Sequence, residues 1–503
     1  MKGLFLSLLL VSAGMTSAAI ELPSFFSDGM VLQQKGKAKV WGWLDGSGSV
    51  TVTFAGQVES AKTNEEGRWE VVFKDLKASS QGAELVISDG AERKVIKDVL
   101  VGEVWIASGQ SNMEWTVEKA LNAKEEIAAS ADPALRIFIT RNVATNEQQI
   151  DFPGKWAAAS PKTAGKMTAV GYYFARNLRQ QLDVPVGIIE CSWGGKPIEA
   201  FISEEALEKE PEAKYYLDKK RQAVARWNPE KMQAQYDAKV EKWAAEGKKR
   251  RKPQPQPAPS VSSRFHSTIY NGMIAPIVGY GAKGTIWYQG ESNASEKEGP
   301  IYGEMLECLV ADWRERWDSP LSFYYVQLAN FERSRSKKGA SEFGWIMVQD
   351  EMRRALADIE QSGMAVANDI GDAKDIHPKN KQEVGARLAR WALGQDYGFK
   401  DIVMSGPLFK KAKKKGASYL VSFDHAEGLK ARTGTVIRGF EIKAKAGAWV
   451  LALAEIKGAE VVVSATDVAE PVAVRYAWME NAAEVNLVNA EGLPTSCFST
   501  EFE

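Results

Sequence analysis

VGEVWIASGQSNM, residues 101–113, is the stretch on which the fold turns. Apart from Glu103, its first seven residues are glycine or apolar, and they do not alternate with polar ones. That texture belongs to a strand covered on both faces. Gly109 then breaks the run, and Gln110, Ser111 and Asn112 follow as polar groups at its end. A strand covered on both sides needs helices above and below it, so the chain should cross back over the sheet between strands. Working outward, similar runs stand at VPVGIIECS (184–192), GTIWYQG (284–290), LSFYYVQLA (321–329) and GMAVAND (363–369). Helical patterns lie between and after them. One is AVGYYFARNLRQQL (169–182). A second, Tyr302–Trp317, sets Met305, Leu309, Trp313 and Trp317 four residues apart on one face, and a third, after Pro378, uses Val384, Leu388 and Trp391 in the same way. Residues 100–400 are therefore expected to form a three-layer α/β domain built on a parallel sheet.

The flanks read differently. From residue 20 to 99, KAKVWGWLDGSGSVTVTFAG, NEEGRWEVVF and AELVISDGAERKVIKDV alternate with a period of two between Gly, Asp and Asn turns, which predicts a β-sandwich-like domain. Strand texture resumes over 401–503 as a second, C-terminal β domain. Within the α/β region, residues 203–263 are rich in Lys, Glu, Ala and Gln and end in KKRRKPQPQPAPS. This predicts an inserted helical excursion with an extended Pro-rich return, placed outside the sheet, whose basic Lys248–Lys252 run is a solvated helix end.

Composition narrows the function. With 64 Lys+Arg against 65 Asp+Glu, the net charge is −1, so the chain carries no bulk footprint for a polyanion, and nucleic acid is not the expected partner. Hydrophobic residues at 45% and charged residues at 26% exclude a largely disordered chain. The opening MKGLFLSLLLVSAGMTSAA has one lysine, a short apolar run and small residues, and reads as a signal peptide over 1–19. The mature protein is expected to be secreted or periplasmic. No later segment reaches the ~20 apolar residues of a membrane helix. Cys191, Cys308 and Cys497 are expected as buried thiols, with a cysteine nucleophile as the weaker alternative.

Ser111 is the sharpest candidate for chemistry, because open α/β sheets bind ligands where strands end. A serine hydroxyl needs a base to take its proton. Of the three histidines, His377 follows a strand at the same sheet edge, with Asp372 and Asp375 near enough to orient it. His266 and His425 lie in less suitable contexts. An oxyanion also needs donors. Backbone N–H groups of Ser111 and of Gly194 or Gly195, together with a side-chain amide in WYQGESN, can supply them.

Taken in order, GQSNMEW (109–115), SWGGKPIEAF (192–201), YNGMIAP (270–276), WYQGESNA (287–294) and DIHPKNKQEVGARLA (375–389) resemble the sialate O-acetylesterase family. The likeness begins at FFSDGMVLQQ (25–34) and runs to about residue 400. That family is a branch of the SGNH-type serine hydrolases, acting on acetylated carbohydrates. The resemblance implies nucleophile Ser111 and general base His377, with the oxyanion held by Ser111 N–H, Gly194 or Gly195 N–H, and Gln289. Asn293 is the alternative amide, and Glu291 joins it as a candidate substrate-binding residue. The acid stays open between Asp375 and the runner-up Asp372, since many SGNH enzymes carry Asp where this chain has Lys374. Met113 rules out the GxSxG elbow.

The implied activity is removal of O-acetyl groups from sugars, 9-O-acetyl sialic acid first and acetylated xylan or another hemicellulose second, with no metal or organic cofactor. A metal-dependent hydrolase is opposed by the lack of closely spaced ligand sets. A non-catalytic carbohydrate-binding protein is the alternative of a different class, which the β domains and 16 Trp would serve.

Overall fold

Arg93–Gly109 forms one strand of 17 residues, named β1, and every other part of the architecture refers to it. The computed structural model of the chain describes residues 19–332, 342–445 and 447–503. Of the expected leader, residues 1–18 lie outside these. Six further strands join the second half of β1: Asp132–Thr140 (β2), Gly154–Ala159 (β3), Val186–Ser192 (β4), Gly284–Tyr288 (β5), Ser322–Val326 (β6) and Ser362–Ala365 (β7). Across the sheet they lie in the order β3-β2-β4-β1-β5-β6-β7. Both neighbours of β1 run parallel to it, Val186 opposite Glu103 on one side and Gly284 opposite Trp105 on the other. β3 pairs antiparallel with β2, so the sheet is mixed at that edge. These two strands escape a reading based on apolar runs, because β3 is the short, half-exposed GKWAAA.

The helices that frame the site are, in order, Ser111–Glu114 (α1), Ala169–Leu182 (α2), Lys214–Ala225 (α3), Pro229–Ala245 (α4), Tyr302–Trp317 (α5), Glu342–Arg354 (α6) and Lys381–Gln395 (α7). Phe323 and Tyr324 are neighbours on β6 and must face opposite ways. Phe323 meets Trp313 of α5 at 6.3 Å, whereas Tyr324 meets Trp105, which in turn packs on Phe174 of α2. Helices therefore cover both faces. On the α2 side, α7 comes close enough that a Cβ at Gly385 would stand 2.7 Å from the Phe174 nitrogen.

The first half of β1 belongs to the N-terminal strands. It pairs antiparallel with Ser79–Ser88 and parallel with Val31–Gln33. The expected boundary at 99/100 thus falls inside one continuous strand, and one hydrophobic core runs from Ile20 to Leu408. The C-terminal strands build two four-stranded sheets and a two-stranded one around a core of their own, from Val421 to Phe498. In the insertion, Leu207, Ala213 and Tyr216 are buried in the main core, while α4 has no buried residue. Only the latter part of the excursion stands away from the sheet. Among the described residues, no helix is long and apolar enough to cross a membrane.

Candidate active site

β1 ends where only glycine fits. Gly109 has φ +130°, and a Cβ there would lie 2.3 Å from the Tyr288 carbonyl oxygen. Gln110 N–H donates to that same oxygen at 2.9 Å, and the chain then turns into α1 with Ser111 half-buried at its start. His377 arrives from the segment between β7 and α7. Its Nε2 lies 2.8 Å from Ser111 Oγ. On the other side of the ring, Asp375 Oδ1 accepts the His377 backbone N–H at 2.9 Å and stands 3.7 Å from Nδ1. The two carboxylates are not equivalent, because exposed Asp372 accepts the Lys374 N–H at 2.8 Å and closes a turn of its own. Burial lowers the His377 pKa, Asp375 opposes that shift, and the charges of Lys381 and Lys119 add to it. The imidazole is accordingly poised in its neutral, proton-accepting form.

The oxyanion side is arranged differently from the expectation. Gln289 is fully buried and both ends of its amide are engaged inside the protein. Its Nε2 donates among Asn293 Oδ1, Lys196 O and Gln110 Oε1, and its Oε1 accepts from Tyr302 Oη. Asn293 is also fully buried, donating to Glu199 Oε2 at 3.0 Å and accepting from Ile198 N–H at 2.9 Å. The hydrogen bonds of both amides go to other buried or backbone groups, and none of them is to Ser111. Polar residues at a strand end can fold back into the protein, and here they brace the loops beneath the site. Gly194 does lie against the serine, since a Cβ there would be 3.2 Å from Ser111 Cβ, but its N–H donates to Glu114 Oε2 at 2.8 Å. Gly195 is exposed with φ +68°. Ser111 N–H opens a helix and so has no intrahelical acceptor.

Glu291 likewise faces inward, as part of a cluster that sequence reading missed. Buried Asn112 donates to Glu291 Oε1 at 2.5 Å and to the Ile376 carbonyl at 3.0 Å, and it accepts from Lys381 Nζ at 2.5 Å. Lys381 is wholly buried, 5.1 Å from the centre of the Tyr288 ring. Burial pulls its amine down to about 7, against the carboxylates of Glu291 and Asp375. Asn112 thus ties the Ser111 turn, the loop after β5 and the histidine segment together. Trp115 was missed as well. Its ring stacks on that of His377 at 4.8 Å and 15°, which holds the imidazole plane. The only sequence signal was that both residues lie in motifs already quoted, GQSNMEW and DIHPKNK.

The other candidates for chemistry are elsewhere. His266 is buried and pushed down to about 3 by desolvation, and His425 packs edge-on against Trp391. The three cysteines are unpaired, and burial raises every thiol, Cys308 to about 12, so none is a ready thiolate. Among the described residues, no group of His, Cys, Asp and Glu is placed to hold a metal ion.

The family model for carbohydrate esterases of the sialic acid-specific acetylesterase type matches residues 101–254 and 258–394. The chain belongs to this family. In this esterase the matched region begins in β1, just before the turn that carries Ser111, and closes in α7, after His377. The protein is 30% identical over 465 residues to the sialate O-acetylesterase of Rattus norvegicus, covering 85% of this chain and 83% of that one. Against the sialate O-acetylesterase of Homo sapiens the identity is 29% over 444 residues, covering 81% and 77%. A crystal structure of a carbohydrate acetylesterase from Xanthomonas citri superposes with a TM-score of 0.81 at 34% identity, covering 96% of this chain and 99% of that one. The protein is a carboxylic ester hydrolase of the carbohydrate acetylesterase kind.

Proposed function

We propose that this esterase removes O-acetyl groups from sialic acids, 9-O-acetyl sialic acid among them, using Ser111 as nucleophile, His377 as general base and Asp375 as the orienting acid. The observation that carries the reading is the 2.8 Å contact between His377 Nε2 and Ser111 Oγ where β1 ends. Ser111 Oγ attacks the acetyl carbonyl as its proton passes to Nε2. The tetrahedral intermediate collapses, the sugar oxygen leaves, and His377 returns the proton to it. Water then attacks the acetyl-serine with His377 again as base, releasing acetate. Ser111 N–H receives the oxyanion together with Gly194 N–H, once the substrate carbonyl displaces the Glu114 carboxylate, or with Gly195 N–H. This chemistry calls for no metal or organic cofactor. The leader read over residues 1–19 assigns the enzyme to the periplasm or the secreted fraction.

A second substrate class, acetylated hemicellulose such as xylan, calls for the same ester chemistry at Ser111, and the acetylesterase similar at 34% identity is described only as acting on a carbohydrate. Acetate release across a panel of acetylated sialosides and xylo-oligosaccharides decides between them. Turnover is expected to vanish in Ser111→Ala while sugar binding persists. Turnover that survives in that variant overturns the nucleophile.

A further inference from the structure

A groove of about 750 Å³ lies between the α3–α4 hairpin, the Pro-rich return and the chain just after Gly195. Its volume is that of an ordinary small-ligand site. Lys196 lines it; Gly194, two residues earlier, packs against Ser111, and the charge of Glu114, in the same short helix as Ser111, reaches Lys196, so the Lys196 end of the groove is the end on the serine's side. Four cations line it, Lys196, Arg226, Lys231 and Arg264, and no carboxylate does. In a chain with 64 basic and 65 acidic residues, that one-sided wall departs from the average surface.

Neighbouring basic residues are matched: Lys214 and Arg221 pair with Asp218, and Lys219 pairs with Glu298. None of the four groove cations forms a salt bridge among the described residues, although the charge of Glu114 reaches Lys196. Burial first and the Arg264 charge second lower the Lys196 pKa, and the Glu114 charge opposes them without reversing the shift. Such a cluster costs free energy until an anion joins it. Trp227 and Phe265, both half-buried in the same wall, offer flat apolar faces of the kind that pack on sugar rings.

We propose that this groove binds a carboxylated sugar next to the acetylated ring, so that the insertion selects esters carried on anionic oligosaccharides. The proposal rests on the esterase reading and extends it to the substrate beyond the ester. Arginine forks suit carboxylates, and two such sugars meet the requirement, a second sialic acid or a uronic acid branch.

The test pairs each acetylated oligosaccharide with its methyl ester, which is neutral at the flanking carboxylate. One pair is an acetylated disialoside, and the other is an acetylated xylo-oligosaccharide with a glucuronic acid branch. The free acid of at least one pair is expected to be preferred about tenfold in kcat/KM, a preference that fades with salt and collapses in Arg226→Gln/Lys231→Gln and in Arg264→Gln. Which pair shows the preference names the sugar. Equal rates for acid and ester in both pairs, or a preference unchanged in the variants, overturns the proposal. Calorimetric binding of the deacetylated acids to Ser111→Ala separates the two readings. Binding of the acid over its methyl ester without any acetate release by the wild type keeps the groove and rejects the esterase assignment. Acetate release without such binding does the reverse.

Discussion

At the scale of single residues, the imidazole of His377 is pulled two ways, downward by burial and upward by Asp375. Hydrolysis requires the neutral ring, so activity should be lost on the acidic side with a midpoint below the ordinary histidine value of 6.5. Asp375→Asn removes the upward pull and should move that limb to still lower pH. It should also slow kcat/KM by about tenfold, a modest figure because the carboxylate is half exposed and stands 3.7 Å from Nδ1. Asp372→Asn, at a separate turn, should change neither. A pH profile on one acetyl ester measures all three. Gln289 offers a second test. Its amide braces buried groups, so Gln289→Leu should lower the melting point, by about 1–3 kcal/mol of stability for each buried partner left without a bond. A variant that melts like the wild type yet loses kcat would return Gln289 to the oxyanion. That Ser111 and His377 would meet was legible because each follows a strand end. Gln289, Glu291 and Asn293 share that signature, and sequence does not record which way a side chain turns after its strand.

At the scale of elements, the site depends on three loops held by one amide. Asn112 belongs to α1, yet its bonds reach Glu291 after β5, Ile376 before His377, and Lys381 at the start of α7. Asn112→Ala should remove the amide that bridges Glu291, the Ile376 carbonyl and Lys381, costing about 1–3 kcal/mol. It should also release the histidine segment, so that kcat falls much further than KM changes. Equal kinetics in a correctly folded variant would dissociate the cluster from catalysis. No pattern in the chain announces this clamp, because its members are joined by the parallel sheet and not by spacing. The insertion shows the same limit. Its composition marked 203–263 as one excursion, but Tyr216 is buried beneath the site with its hydroxyl 3.5 Å from Asn293 Nδ2. Replacing 226–258 by a short linker should therefore leave a folded esterase active on a small acetate, whereas removing 203–263 should give insoluble protein. Expression yield and acetate release score both deletions.

At the scale of the whole molecule, the periodicity of residues 20–99 announced strands, and nothing in it showed that the last of them would continue as the central strand of the next sheet. β1 serves both, and one core spans them. Calorimetry should accordingly show the region up to about residue 400 melting in a single transition. The C-terminal strands have a core of their own but are bonded to the rest through Gln327–Ser496 and Asn368–Thr495. The same strand also dictates a schedule. The partners of the second half of β1 are residues 186–192 and 284–288, so the turn that presents Ser111 cannot be fixed until more than half of the chain has been synthesised. Pairing over such separations is slow, because loops must close before any contact rewards them. In a nascent chain the first half of the central strand can therefore join the strands that precede it, while its site-bearing half waits unpaired for partners not yet made.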